Sequence, residues 1–305
     1  MRYIHGMIYS RQKTMLSLLD ALGGDVAALD FQKLLFLYSQ EVETEPSYEF
    51  VPYKFGGFSF TSYADKRKLQ EQGILDDDAQ RFRFTPDWKE RIGRSVISSD
   101  LEMVGFAKKY ANLRGNDLVG DVYRRYPWWA TRSQIARKVL AGDVDALAAI
   151  EREMPSRAPA GLYSIGYEGH TIESYVNSLL RAGVTLLCDV RKNPISRKYG
   201  FSRATLSHAC EEVGIAYRHL PELGIESSER RDLHAQADYD ALFARYCSVT
   251  LPRAVGSLEQ ITAWIREGNR VAVTCYERDP AQCHRTRVAA AVSKRLSPPV
   301  SFEDL

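Results

Sequence analysis

The sequence predicts an α/β protein: a mostly parallel sheet with helices on both faces in the C-terminal half, and a mainly helical, winged-helix-like N-terminal domain. Three observations predict it. From Leu162 onward, short apolar runs alternate with stretches of helical period, the pattern of βαβ units. Before that point helical spacing dominates, with one short alternating stretch near residue 80. Between the two, "EREMPSRAPAGLYSIG" turns to Pro, Ser, Ala and Gly, which marks a connector. The predicted organisation is a winged-helix-like helical domain over 1–135, a helical linker over 136–160 and an α/β domain over 161–305.

In the N-terminal half, Met15, Leu18, Leu19 and Leu22 share one helical face, and Gly23-Gly24 stops the run. Phe31, Leu34, Leu35 and Tyr38 repeat the pattern, with Asp30 expected as the N-cap. "YEFVPYKFGGFSF" reads as a bent extended segment. "TSYADKRKLQEQGIL" is a third helix ended by Gly73, and "DDDAQRFRFT" a turn leading into a strand. In the C-terminal half the expected strands are "LYSIG", "TLLCDV", "IAYRHL" and "RVAVTCY". The expected helices are Thr171 to Ala182, Arg203 to Val213, Tyr239 to Glu267 with a break at Leu251-Pro252, and Cys283 to Leu296.

A length of 305 residues suggests roughly two domains. The net charge of +2 gives no global field, so any attraction to nucleic acid or membrane must come from local patches. "MRYIHGMIYS" has no apolar leader core, and no run is long and apolar enough to span a bilayer. A cytoplasmic location is expected, with Cys188, Cys210, Cys247, Cys275 and Cys283 as free thiols.

In an open parallel sheet, ligands bind beyond the carboxyl ends of the strands. Tyr167 and Glu168 follow the first predicted strand, Asp189 and Arg191 the second, His219 closes the third, and Cys275, Tyr276 and Glu277 lie at the end of the fourth. Glu168 and Asp189 are candidate catalytic carboxylates, although Asp189 is equally suited to orient Arg191 or Arg197. "DVRKNPISRKYGF" carries Arg191, Lys192, Arg197, Lys198 and Arg203, and reads as a shaped anion clamp that includes Ser196. The alternative is a solvated basic loop. Cys283, His284 and Arg285 open the last helix, where N–H groups and the helix dipole attract anions and lower a thiol pKa. Cys283 is therefore a candidate thiolate, His284 an acid or base, and Arg285 an anion ligand. Cys275, Cys283 and His284, with Cys188 or His219, match no standard zinc spacing, so neither a metal nor a cofactor is expected. "ESSERRDLHAQAD" is a polar loop with Arg230 and Arg231, long enough to form a contact surface.

Two resemblances complete the reading. "FQKLLFLYSQE", "YEFVPYKFGGFSFTSYADKRKLQEQGIL" and "DLVGDVYRRYPWWATRS" make the N-terminal part similar to Panacea-type antitoxin and related winged-helix-like modules, which act in protein or nucleic-acid contacts. "SIGYEG", "DVRKNPISRKYGFS", "LPELG" and "CYERDPAQCHR", in that order, resemble the family catalogued as domain of unknown function 488. This resemblance implies an α/β fold with a pocket lined by Tyr167, Glu168, Asp189, Arg191, Ser196, Arg197, Cys275, Glu277, Cys283, His284 and Arg285. It also associates the chain with nucleic-acid processing or defence.

The function expected is that of a nucleic-acid-associated or nucleotide-acting protein. As an enzyme it would be a hydrolase or transferase on a phosphate-bearing substrate. Glu168, Asp189, Cys283 and His284 would be catalytic, and Tyr167, Arg191, Ser196, Arg197, Lys198, Cys275, Glu277 and Arg285 would bind substrate. The alternative is a non-catalytic DNA-binding or antitoxin-like protein that holds a protein partner through its N-terminal domain. No membrane partner is expected.

Overall fold

A computed structural model of the chain describes residues 8–92, 97, 100–155, 159–230 and 233–305; Arg231 of the polar loop lies outside them. Two compact units divide it, Met1–Met154 and Pro155–Leu305.

The first unit is built on α1 (Ser10–Ala21), β1 (Asp25–Ala27), α2 (Ala28–Glu41), α3 (Phe60–Glu71) and β2 (Arg81–Arg83). Helices α4 (Trp88–Ile92), α5 (Leu101–Lys109), α6 (Gly115–Arg125), α7 (Ala136–Val139) and α8 (Val144–Glu153) follow. β1 and β2 pair antiparallel. Aromatic side chains fill the core: Phe31 stacks on Phe82 at 4.3 Å, and Phe36 packs against Phe50, Tyr126 and Trp129. Asp30 is not the N-cap of α2. β1 runs straight into the helix, the Ala28 amide finds the Gln80 carbonyl, and the helix begins before Asp30 is reached. Asp30 lies in the first turn, where its carboxylate accepts from the Gly115 amide at 2.8 Å.

The second unit is a five-stranded sheet of β3 (Gly161–Gly166), β4 (Leu186–Asp189), β5 (Ala216–His219), β6 (Arg270–Cys275) and β7 (Phe302–Asp304), in the order β5-β4-β6-β3-β7. Every pairing is parallel. β3 and β4 are buried at every residue, as expected of strands covered on both faces. Leu186, Cys188, Val271 and Val273 join one core with Leu258, Ile261 and Ile265 of α13 (Val255–Arg266) and Val288, Ala289 and Val292 of α14 (Arg285–Ser293). On the opposite face, Tyr175 of α9 (Ile172–Arg181) donates to Thr274 at 2.7 Å, and α10 (Arg203–Glu212) packs beside α9. The helical stretch after the polar loop is α11 (Gln236–Arg245), a π turn (Tyr246–Thr250) and the short α12 (Leu251–Arg253). No described helix is long and apolar enough to cross a membrane.

This arrangement brings the ends of β3, β4 and β6, three adjacent strands, to one rim of the second unit.

Candidate functional site at the carboxyl rim of the sheet

Strand β3 and the loop after β6 meet so closely that Gly166 has no room for a side chain: a Cβ there would run into the Glu277 carbonyl. Glu168 then closes this junction. Its carboxylate accepts from the Arg278 amide at 2.9 Å and from the Tyr276 hydroxyl at 3.3 Å. Glu168 is itself exposed.

Asp189 ends β4 and is fully buried. Its two oxygens accept from the Arg191 amide at 3.0 Å, from Arg191 Nε at 2.9 and 3.1 Å, from Arg191 Nη2 at 2.5 Å and from the Tyr217 hydroxyl at 2.6 Å. Arg191 spends its remaining donors on the Tyr167 hydroxyl at 3.1 Å and the Phe201 carbonyl at 2.8 Å, and its guanidinium lies 5.0 Å from the centre of the Tyr167 ring. Burial works against the charged guanidinium, but Asp189 holds its pKa above the ordinary arginine range. The pair is closed: it fixes the start of the basic loop. His219 helps, its ring Nε2 donating to the Arg191 carbonyl at 2.8 Å.

The basic loop is shaped by its own contacts. Ser196 and Ser202 exchange hydrogen bonds at 3.0 Å, the Lys198 amide donates to Ser196 Oγ at 3.1 Å, and Gly200 turns the chain at φ 92°. Lys192 pairs with Glu226 at 3.1 Å. Lys198 leans over the Phe201 ring. Arg197, Arg203 and Arg278 are exposed, and their side chains have no partner among the described residues. Arg285, by contrast, is fully buried. It binds Asp304 at 3.0 Å, the Glu277 carbonyl, and the Arg278 carbonyl at 3.1 Å, which locks α14 to β7 and to the loop after β6. These contacts serve the fold, and the guanidinium also lies beside the Cys283 thiol.

The last cluster stands at the end of β6. Cys275, Cys283 and His284 are buried, and their donor atoms lie within 4.8 Å of one another. The Cys275 thiol donates to Glu277 Oε2 at 3.3 Å, and its sulfur is 3.7 Å from His284 Nδ1. Arg230 reaches in, donating to Glu277 Oε1 and, at 2.7 Å, to His284 Nδ1. The other ring nitrogen, Nε2, faces the Val190 carbonyl at 3.0 Å. A guanidinium only donates and a carbonyl only accepts, so His284 is the neutral Nε2–H tautomer with its Nδ1 lone pair aimed into the cluster. Burial raises the Glu277 carboxyl, but the Arg230 charge and the Cys283 thiol outweigh it and hold it below its usual range. Burial pushes the Cys283 thiol well above its usual value, and the neighbouring Cys275 adds to this. The helix expected to open at Cys283 begins instead at Arg285, with His284 as its N-cap, so Cys283 sits on extended backbone just before it, where burial works against a thiolate.

The sequence spacing Cys-x7-Cys-His carried no metal signature. The structure nevertheless gathers these three residues, because a short 3-10 turn (Pro280–Gln282) folds the chain back before α14. Cys188 and His219, the other ligands considered, belong to the core and to the Arg191 loop. Arg230 is the rim residue that sequence reasoning passed over as part of a polar loop.

Residues 171–292 match the model of the family described as Domain of unknown function DUF488. That span includes Asp189, the basic loop and the Cys275 cluster, and begins just after Tyr167 and Glu168. Queuine tRNA-ribosyltransferases from Xanthomonas oryzae pv. oryzae (strain PXO99A) and Xylella fastidiosa (strain M12) are 30% identical to the chain over 124 and 125 residues, covering 38% of it and 32% of each relative. The chain spans about a third of the length of these curated relatives. No solved structure matches it.

Proposed function

We propose that the chain is a transferase acting on nucleic acid, with the Pro155–Leu305 unit as its catalytic half and an RNA of the tRNA kind as its substrate. The observation that carries this reading is the contrast at the rim. Most charged side chains there are consumed by the fold, whereas Cys275, Glu277, Cys283 and His284 converge with sulfur, oxygen and nitrogen donors on one buried spot. Exposed cations without partners among the described residues, Arg197, Arg203 and Arg278, lie on the segments that follow β4 and β6. The likeness to tRNA-ribosyltransferases supports the substrate class. In this reading Arg197, Lys198, Arg203 and Arg278 take backbone phosphates, and the Cys275 cluster is the working centre. Tyr167, Glu168, Asp189, Arg191, Ser196 and Arg285 position those groups. Hydrolysis on the same centre is the second enzymatic reading, favoured by Glu277, a carboxylate placed to take a proton.

For the N-terminal unit we propose a winged-helix-like, partner-contacting role. The order α1-β1-α2-α3, an antiparallel bridge Leu75–Phe84 and then β2 supports it. Its cations are largely engaged: Arg81 with Asp25, Arg83 with Asp76, Arg124 with Asp143, Arg125 with Glu41, and Lys66 buried against the Asp78 and Ala79 carbonyls. This favours a protein partner over a phosphate backbone.

Titration of the full chain with tRNA at several salt concentrations tests the reading. Binding is expected to weaken steeply with salt, and Arg197→Ala should lower affinity and cut the salt slope by roughly one, while Arg81→Ala changes neither. Absence of RNA binding at low salt overturns it. So does base or ribosyl exchange on the bound RNA that persists in Cys275→Ala.

A further inference from the structure

We infer that Cys275, Cys283 and His284 form a binding site for a thiophilic divalent cation of the zinc class, with the Arg230 guanidinium as the competing cation. The inference rests on the preceding reading only in taking this cluster as the working centre.

Four observations carry it. First, the donor set is two sulfurs and an imidazole nitrogen, the soft ligands that select such metals. Second, the three donor atoms lie within 4.8 Å of one another, and one pair already has a ligand spacing. With Zn–S about 2.3 Å and Zn–N about 2.0–2.1 Å, tetrahedral geometry puts sulfur and nitrogen roughly 3.5 Å apart; Cys275 Sγ and His284 Nδ1 are 3.7 Å apart. Third, the histidine is already set as a ligand. Its Nε2–H is tied to the Val190 carbonyl, the outer contact that fixes the tautomer and aims Nδ1 at a metal. Fourth, the cluster already holds a positive charge. Arg230 bridges the Glu277 carboxylate and His284 Nδ1, so the site attracts a cation and supplies one from the chain.

Binding is an exchange. The Cys275 and Cys283 S–H bonds break, two sulfur–metal bonds and one nitrogen–metal bond form, and two protons pass to solvent, with Glu277 the nearest acceptor. The two thiolates balance the dication. Arg230 gives up His284 Nδ1 and keeps Glu277, whose carboxylate stands 3.3 Å from the Cys275 sulfur.

The test is titration of the chelator-stripped full chain with Co2+. The expected result is one equivalent bound, with a thiolate-to-cobalt band, tetrahedral visible absorption and release of two protons. Cys283→Ser should lose the tetrahedral spectrum. Arg230→Gln, which removes the competing cation and no donor atom, should bind Co2+ about tenfold more tightly, the scale on which groups around a ligand set act. Wild-type chain that shows no tetrahedral Co2+ spectrum overturns the inference, as does Arg230→Gln chain with unchanged or weaker affinity. Metal binding without RNA transfer removes the transferase reading and leaves the site standing; RNA transfer by a chain that binds no metal does the reverse.

Discussion

Asp189 with Arg191 and Cys275 with His284 end neighbouring strands of one sheet, and both groups are buried. They differ in how their hydrogen-bonding capacity is spent. At Asp189 one carboxylate meets one guanidinium, a tyrosine hydroxyl and a backbone amide, and few lone pairs are left over. At Cys275 two thiols, a carboxylate and an imidazole lone pair meet the Arg230 guanidinium, with Arg285 beside the Cys283 thiol, so soft acceptor atoms still outnumber the cations. The first arrangement is a joint; the second is a seat for something cationic or electrophilic. Charge and burial alone do not separate a structural pair from a working one. The balance of donors against acceptors does.

The sharpest way to break the joint is Asp189→Ala. It leaves the Arg191 guanidinium buried without its carboxylate, at an expected cost of about 3–5 kcal/mol in urea unfolding. The double substitution Asp189→Leu/Arg191→Met should recover much of that loss; if it does not, the pair is more than a structural contact. Gly166→Ala should come next. The added methyl meets the Glu277 backbone carbonyl, which cannot step aside cheaply, and about 1–3 kcal/mol is expected. The change pushes away the loop that carries the Cys275 cluster, so Co2+ binding should weaken in parallel with the melt.

The smallest effect concerns pH. The folded Glu277 pKa lies below its unfolded value, so the unfolded state binds more protons as the medium turns acid. Its contribution is present above an unfolded pKa of about 4.3 and lost as pH falls through the folded value. Glu277→Gln should therefore flatten the acid limb of a thermal-melt series between pH 6 and 3 by no more than about 1 kcal/mol. An unchanged acid limb would show that Arg230 does not hold the carboxylate.

The sheet was legible because its strands advertise themselves. "LYSIG", "TLLCDV", "IAYRHL" and "RVAVTCY" are apolar runs between helical periods, and they correspond to β3, β4, β5 and β6. β7 escaped because Phe302-Glu303-Asp304 is three residues long, with two acids and no run to detect. At the rim, the gathering of strand-end side chains follows from parallel topology, so Tyr167, Asp189 and Cys275 could be named without coordinates. Their partners could not. Asp304, which claims Arg285, sits on the strand that periodicity cannot find, and Arg230, which claims His284, comes from a loop with no pattern. Cys275 and Cys283 meet through a 3-10 turn whose sequence, Pro-Ala-Gln, carries no sulfur-pairing signature.

The order β5-β4-β6-β3-β7 has a consequence for biosynthesis. A ribosome makes β3 and β4 long before β6, yet β6 is the strand that must lie between them. Until residue 275 has left the exit tunnel, β3 and β4 present bare backbone edges, each able to pair with a wrong neighbour. The rim is thus assembled in a single stroke once β6 emerges, and a ribosome stalled before residue 270 would release a chain with its sheet split down the middle.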